Sequence, residues 1–196
     1  MRVIAKFLAV TVTAGMLAAS TLTATLLKQM NLEELAGNAH RIFSGTVIEV
    51  DKGSISLGGG TVATVTYRVV VDTPFLGEFI EKSGRKIADI RMVHAGAPGE
   101  VAGAVRFPVL PKMPVIELGK RYLFFTTEPS AAGLSTTVGL GQGCFEISGE
   151  PGDELAVNEF ENLGLFRGMS GAGTQKPGPV EYSSLVRQIH DLLSRN

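Results

Sequence analysis

The stretch that decides the fold is Ile42-Phe43-Ser44-Gly45-Thr46-Val47-Ile48-Glu49-Val50. Its apolar alternation changes phase, because Phe43 and Val47 share one face of a strand whereas Ile48 and Val50 share the other, with Gly45 near the change. A switch of buried face marks a bend or a bulge, often at a glycine. The pattern therefore predicts a long, bent strand that pairs with the next strand on one side and with a fourth or fifth strand on the other.

Four more strands are expected after this bent strand, which we place at 40–51. Residues 61–73 alternate regularly between a core face and a water face, and 122–127 carry the continuous apolar run of a strand buried on both sides. The remaining two are 86–94 and 134–148. Five strands with a bent first strand and an apolar fourth resemble the OB-fold, so we expect a mainly β, small five-stranded Greek-key barrel.

Two helices are expected at the ends of the barrel. Asn31 is a good N-cap for a short helix over 31–37, with acidic residues in its first turn and Gly37 near its end. Residues 181–194 form an amphipathic pattern that should dock on the barrel, with a membrane or partner-helix role as the alternative. The predicted organisation is a signal peptide at 1–24, an OB-like β-barrel domain at 25–148, a Gly/Pro-rich loop at 149–179 and a C-terminal helix at 180–196.

The signal peptide at 1–24 is indicated by a positively charged start, an apolar run and small residues after it. Cleavage is expected after Ser20 or Ala24, and the alternative is an uncleaved anchor, since 7–27 is about long enough to cross a bilayer. The chain is therefore expected to be exported to the periplasm or the extracellular space. Membrane contact is expected only through this segment, if it is retained.

Charge and cysteine content exclude several classes of protein. The formal net charge is −1, so the chain has no basic footprint for nucleic acid. Cys144 is the only cysteine, which excludes an intramolecular disulfide and a cysteine-based zinc site. Flanked by Gly143 and Phe145, it is interpreted as a small buried filler, with a reactive thiol as the alternative.

Two glycine-rich stretches come close to known catalytic motifs without completing them. Residues 139–143 resemble part of a phosphate loop but lack the following Lys-Ser/Thr, and 168–172 resemble a nucleophile elbow but end in alanine. The three histidines, His40, His94 and His190, stand apart in the sequence without metal-ligand spacing. We therefore predict no catalytic residue, no cofactor site and no metal site.

Gly139, Gly141 and Gly143 are spaced by two and would share one face of the last predicted strand. Such a face leaves a groove that another backbone or side chain can approach closely. We expect an aromatic ring from a neighbouring strand, such as Phe124 or Tyr67, to fill it.

The long loop at 95–119 is rich in glycine and proline, and long loops in compact domains often carry function. Polar residues in and around this loop and near the glycine stretch are the candidate ligand or partner contacts. They are His94, Arg106, Lys112 and Gln142.

Five pieces of sequence between residues 32 and 147 carry a family resemblance. They are Leu32-Glu33-Glu34-Leu35, Ala39-His40-Arg41-Ile42-Phe43-Ser44-Gly45-Thr46-Val47, Thr64-Val65-Thr66-Tyr67-Arg68-Val69, Gly119-Lys120-Arg121-Tyr122-Leu123-Phe124-Phe125 and Gly141-Gln142-Gly143-Cys144-Phe145. In this order they resemble a family of uncharacterised exported bacterial proteins, which implies export and a small β domain but no established reaction. A looser similarity is to netrin-like domains, including the tissue inhibitors of metalloproteinases, which set an OB barrel beside helices.

These features favour an exported, non-enzymatic binding or interaction domain with an unknown protein or glycan partner. One alternative, implied by the netrin-like similarity, is an inhibitor or accessory partner of an extracytoplasmic protease. A second alternative is a hydrolase whose site is assembled from scattered residues, for instance around His94.

Overall fold

The computed structural model describes residues 28–57, 59–94, 113–169 and 176–195. The predicted signal peptide, Arg106 and Lys112 lie outside these residues. The strands are β1 (Arg41–Leu57), β2 (Gly60–Leu76), β3 (Ile80–Lys82), β4 (Arg85–Val93), β5 (Arg121–Thr126), β6 (Cys144–Ser148), β7 (Leu155–Asn158) and β8 (Val180–Glu181). The helices are α1 (Leu32–Gly37) and α2 (Tyr182–Leu193), with a 3₁₀ helix at Leu140–Gly143. No helix in the described ranges is long and apolar enough to span a bilayer.

Strand β1 has two partners, as its sequence predicted. It pairs antiparallel with β2 along its whole length, from Ile42 opposite Leu76 to Leu57 opposite Gly60, and its first six residues also pair with β5. The β1–β2 register shifts at three places, one of them between Ser44 and Gly45. A Cβ at Gly45 would overlap the backbone carbonyl of β2, so glycine allows the close approach of the two strands there.

Another of the register shifts in β1 lies between Val47 and Glu49. Val47 is fully buried, whereas Ile48 and Val50 are exposed. A bulge adds one residue to one strand, and because side chains alternate with period 2, every later residue then faces the other way. The phase change in the sequence therefore coincides with a register shift, which lies just after the glycine.

The fold is mainly β, but it differs from the predicted five-stranded barrel. The described residues form one eight-stranded antiparallel sheet, in the open order β3-β4-β2-β1-β5-β6-β7-β8. Outside the strand pairs, the backbone N–H of Ser135, which lies between β5 and β6, donates to the carbonyl of Arg91 in β4, at 2.8 Å. The predicted loop at 149–179 contains β7, which is four residues long. So short a strand carries little periodic signal and depends on pairing with β6.

The last predicted strand, 134–148, is also different from the structure. Only Cys144–Ser148 is a strand, and the 3₁₀ helix precedes it. Gly139 is left-handed, with φ 61°, so the glycines do not share a strand face. A Cβ at Gly143 would lie 2.5 Å from the carbonyl oxygen of Val138, so a backbone approaches this glycine closely. The prediction that an aromatic ring fills this space is therefore wrong.

Two hydrophobic cores lie on opposite faces of the sheet. The first core is covered by α1 and α2 and includes the fully buried residues Leu35, Phe125, Phe145, Leu185 and Ile189. Asn31 is the N-cap of α1, as predicted, and forms a capping box with Glu34, while α2 lies within the predicted 181–194. Helix α2 therefore docks on the sheet.

The second core lies on the other face and is built from β1, β2, β4, β5 and β6, together with Ile116 of the segment before β5. Its fully buried members include Phe43, Val69, Ile90 and Phe124, and the ring of Phe43 packs on that of Phe124 at 5.3 Å between centroids. No helix contributes to this core in the part of the chain that the structure describes. It is next to this core that the sheet forms a cleft.

Candidate functional site

A cleft of about 270 Å³ lies at the end of the second core, where β5, β6 and β7 run side by side. We call it the β5–β7 cleft. Its floor is formed by the buried residues Tyr122, Cys144 and Asn158, and its rim by exposed or half-buried ones. Its lining residues are Pro114, Val115, Tyr122, Cys144, Glu146, Val157, Asn158, Glu159 and Glu161.

Tyr122 ties the floor of the cleft to the segment that forms one wall. Its hydroxyl accepts a hydrogen bond from the backbone N–H of Glu117 at 3.0 Å and donates to the carbonyl of Val115 at 3.4 Å. The N–H of Val115 in turn donates to a carboxylate oxygen of Glu159 at 3.3 Å, across the cleft. Burial raises the pKa of Tyr122 to about 12, so the hydroxyl remains protonated and acts as a structural donor.

Cys144 lies opposite Phe124 in the β5–β6 pairing and belongs to the second core. Its thiol is free and buried, which confirms the interpretation as a small buried filler. Burial, and then the nearby carboxylates of Glu159 and Glu146, raise the pKa of the Cys144 thiol far above its usual range. At neutral pH the group is a neutral thiol, and not the thiolate that a nucleophile or a metal ligand requires.

The rim of the cleft is acidic. Glu146, Glu159 and Glu161 line it, and no Lys or Arg does so among the described residues. One cation lies nearby, since Lys120 forms ion pairs with Glu117 at 2.8 Å and with Glu146 at 3.3 Å. The hydrogen bond with Glu117, followed by that with Glu146, raises the pKa of Lys120. Among the described residues, the rim of the cleft thus carries more carboxylates than ammonium groups.

The turn after β7 holds two of these carboxylates in place. The side-chain oxygen of Asn158 accepts from the N–H groups of Phe160 and Asn162, both at 2.9 Å, and that of Asn162 accepts from the N–H of Asn158 at 3.1 Å. Glu161 and Asn162 are both left-handed, with φ of 53° and 55°. Asparagine tolerates this conformation and bonds its own turn, so the pair fixes the backbone that carries Glu159 and Glu161.

Gln142 was predicted as a ligand or partner contact, and the structure gives it a role inside the fold. It is buried, its amide oxygen accepts from the N–H of Met30 at 2.8 Å, and its amide nitrogen donates to the carbonyls of Lys28 and Gly139 at 3.0 and 3.3 Å. It does not line the cleft. Gln142 therefore holds the chain that leads into α1.

Of the other predicted contacts, His94 lies within the described residues, and it is away from the lining of this cleft. His94 follows β4, where its backbone N–H donates to the carbonyl of Ala63 at 2.9 Å, and it is not a lining residue. His190 packs on the ring of Phe75, with 5.3 Å between centroids. Over 28–57, 59–94, 113–169 and 176–195, no group of three or more His, Cys, Asp or Glu is placed to hold a metal ion.

The sequence did not point to the residues that form the cleft. Tyr122 looked like one member of an apolar strand, and Glu146 like an ordinary charge on a sheet face. One signal was available, the stretch Asn158-Glu159-Phe160-Glu161-Asn162, because asparagine favours turns and two glutamates lie between the two asparagines. In comparisons with known proteins, no family model, no curated protein and no solved structure matched this chain.

Proposed function

We propose that this protein is an exported, non-enzymatic binding domain and that the β5–β7 cleft is its ligand site. One observation carries the proposal. A buried floor that includes the ring of Tyr122 and the thiol of Cys144 is combined with an acidic rim in one concave site. Concave sites with an apolar lining and a few fixed polar groups are the usual form of ligand sites in proteins.

The state of the floor favours binding over chemistry. The two groups there that could take part in proton transfer or nucleophilic attack are the phenol of Tyr122 and the thiol of Cys144, and burial raises the pKa of both. A general acid or base works best with a pKa near the operating pH, and a cysteine nucleophile acts as the thiolate. The floor therefore offers a ligand a fitting shape and apolar contacts rather than a reactive group.

Export and the relationship to OB barrels belong to the same proposal. Export rests on the predicted signal peptide at 1–24 and on the resemblance to exported bacterial proteins. The barrel relationship is supported by the pairing of β1 with both β2 and β5 and by the backbone hydrogen bond between Ser135 and Arg91. The partner is a protein or a glycan that meets the domain outside the cytoplasm.

The experiment compares capture of extracytoplasmic proteins and binding to a glycan array by the wild type and two variants. Val157→Phe places a ring in the cleft, whereas Val50→Phe adds the same bulk to an exposed position in β1 that does not line it. We expect a partner that is retained by the wild type and by Val50→Phe and is lost with Val157→Phe. Equal capture by a folded Val157→Phe protein would contradict the assignment of the cleft.

A further inference from the structure

One wall of the β5–β7 cleft is a segment without regular structure. Residues 114–118, which we call the strap, precede β5 and belong to no helix or strand. Ile116 is the one buried side chain of the strap and belongs to the second core, whereas Val115 and Leu118 have exposed fractions of 64% and 63%. A segment with so few buried apolar contacts has a low local stability.

The backbone of the strap is held by side chains of the cleft. The hydroxyl of Tyr122, on the floor, accepts from the N–H of Glu117 and donates to the carbonyl of Val115, and the N–H of Val115 donates to Glu159 across the cleft. A strand would bond such backbone groups to the backbone of a neighbouring strand. Here the loss of a single hydroxyl, that of Tyr122, releases two backbone groups of the strap.

The end of the strap next to β5 is fixed to β1. The N–H of Gly119 donates to the carbonyl of Val47 at 2.8 Å, and the N–H of Val47 donates to the carbonyl of Lys120 at 3.0 Å. Gly119 is left-handed, with φ 82°, a conformation that glycine adopts without strain. Hinges are a few loop residues that absorb large changes of backbone angle. Gly119 therefore lets the strap move while β5 stays in place.

An ion pair adds a weaker tie between the strap and the rim. The ammonium group of Lys120 lies 2.8 Å from the carboxylate of Glu117, in the strap, and 3.3 Å from that of Glu146, in β6. All three side chains are at least 39% exposed, and exposed ion pairs contribute little to stability. The buried hydroxyl of Tyr122 is therefore the stronger tie.

We propose that the strap is a lid of the β5–β7 cleft, which opens while the sheet stays folded and lets a ligand reach the floor. This inference rests on the proposed function, because it concerns how a ligand enters the same site. With the strap in place, Cys144 on the floor has an exposed fraction of 4%, and Ile116 packs in the core to which Cys144 belongs. When the hydroxyl of Tyr122 releases the strap, Ile116 leaves this core and the floor becomes accessible.

The first test measures how fast iodoacetamide, a small neutral reagent, alkylates Cys144, the only cysteine of the chain. A buried thiol reacts only after an opening exposes it, so the rate reports the population of the open state. Tyr122→Phe removes both hydrogen bonds of the hydroxyl and keeps the ring. We expect it to raise the alkylation rate roughly fivefold, which is the usual effect of a lost hydrogen bond on an equilibrium.

Tyr182→Phe is the matched control. It also removes a buried hydroxyl, one that is bonded to Ser44 on the helix-covered face of the sheet. This variant lowers the stability of the whole fold but leaves the strap tied, so its alkylation rate should stay close to that of the wild type. Equal acceleration in the two phenylalanine variants would mean that Cys144 is reached by global unfolding, which would overturn the inference.

A second pair of variants serves if Tyr122→Phe does not fold. Glu117→Gln breaks the exposed ion pair with Lys120 and should raise the alkylation rate roughly twofold. Glu33→Gln, at an exposed position of α1, is its control and should leave the rate unchanged. In that case equal rates in the two glutamine variants would overturn the inference.

The second test is amide hydrogen exchange in the wild type. Val115 and Glu117 donate their N–H groups to side chains, whereas Leu123 and Phe124 lie in β5, which is paired on both sides. After correction for intrinsic rates, we expect the two strap amides to exchange at least about tenfold faster than the two β5 amides, because local openings expose them first. Equal exchange would show that the strap opens only with the sheet. If a partner is captured through the cleft but the strap does not open separately, the binding function stands and this inference fails.

Discussion

The two faces of β5 meet different surroundings, although they belong to the same six residues. On one face, Leu123 and Phe125 belong to the core that α1 and α2 cover. On the other face, Tyr122 and Phe124 belong to the core that ends in the β5–β7 cleft. All four side chains are buried, so the faces differ in what covers them and not in the strand itself.

Polar groups show the difference most clearly. On the helix-covered face, the hydroxyl of Tyr182 donates to that of Ser44 at 2.8 Å, and both residues are buried. On the cleft face, Glu146 and Glu161 remain in reach of water. Buried polar groups need internal partners, whereas groups at a rim can exchange water for a ligand. The covered face therefore stabilises the fold, and the cleft face is where we propose that a ligand binds.

The largest expected effect is on the covered face. Leu185→Ala removes a fully buried side chain of α2 and should lower the free energy of unfolding by about 2–5 kcal/mol, through lost transfer free energy and a cavity. Denaturant unfolding of the variant and the wild type measures this loss of stability. Leu163→Ala, at a position with an exposed fraction of 50%, is the control and should change stability by less than about 0.5 kcal/mol. Equal losses in the two variants would mean that α2 does not seal this core.

A smaller effect is expected at Gly45, in the strand that serves both faces. Gly45→Ala brings a Cβ against the carbonyl of Val70 and should cost about 1–3 kcal/mol by overpacking. Gly53→Ala, in the same strand, is the control, because its Cβ would lie at an ordinary 3.5 Å from the Thr64 hydroxyl. Urea unfolding measures the free energy of unfolding of both variants. If the Gly45→Ala protein is as stable as the Gly53→Ala control, β1 and β2 can move apart at this position.

The smallest effect is expected at the cap of α1. Asn31→Ala removes the side-chain acceptor for the N–H of Glu34 and should lower the free energy of unfolding by about 1 kcal/mol. The capping box also depends on pH. The hydrogen bond from Lys28, then that from the N–H of Asn31, lowers the pKa of Glu34 below its ordinary 4.5.

Because the folded pKa of Glu34 is lowered, its contribution to stability is complete above about pH 4.5 and is lost as the pH falls through the folded pKa. Unfolding measured from pH 7 to pH 3 should therefore show that Glu34→Gln differs from the wild type at pH 7 and converges with it in acid. Glu33→Gln, one residue earlier in α1, is the matched control. A difference that persists at pH 3 would contradict the charged capping box.

Much of the fold could be read from local patterns. The change of phase after Gly45 predicted a bent strand with two partners, and β1 pairs with both β2 and β5. The cap at Asn31 and the amphipathic C-terminal stretch predicted both helices. These features depend on residues that are only a few positions apart in the chain. Strand and helix periodicity and helix caps are set over the same short range.

The candidate site could not be read in the same way. Tyr122 and Cys144 come from two paired strands and Glu159 from a turn beyond a third, and the sequence does not show that they surround one cleft. Gln142 looked like an available polar contact, but its amide is used to hold the chain at Lys28 and Met30. Whether a polar side chain faces a partner within the chain or a ligand depends on what packs beside it.

The sequence by itself determined that the chain is mainly β, where β1 bends, where α1 begins and that the only cysteine is a small buried residue. The tertiary structure alone decided that the described residues form one open sheet of eight strands, that helices cover one face of it and that the other face ends in a cleft with glutamates at its rim. The physical reason is the distance along the chain over which each effect acts. Backbone preferences and side-chain periods act locally, whereas strand pairing, burial and the potential of a cleft are set by groups that meet only when distant segments pack together.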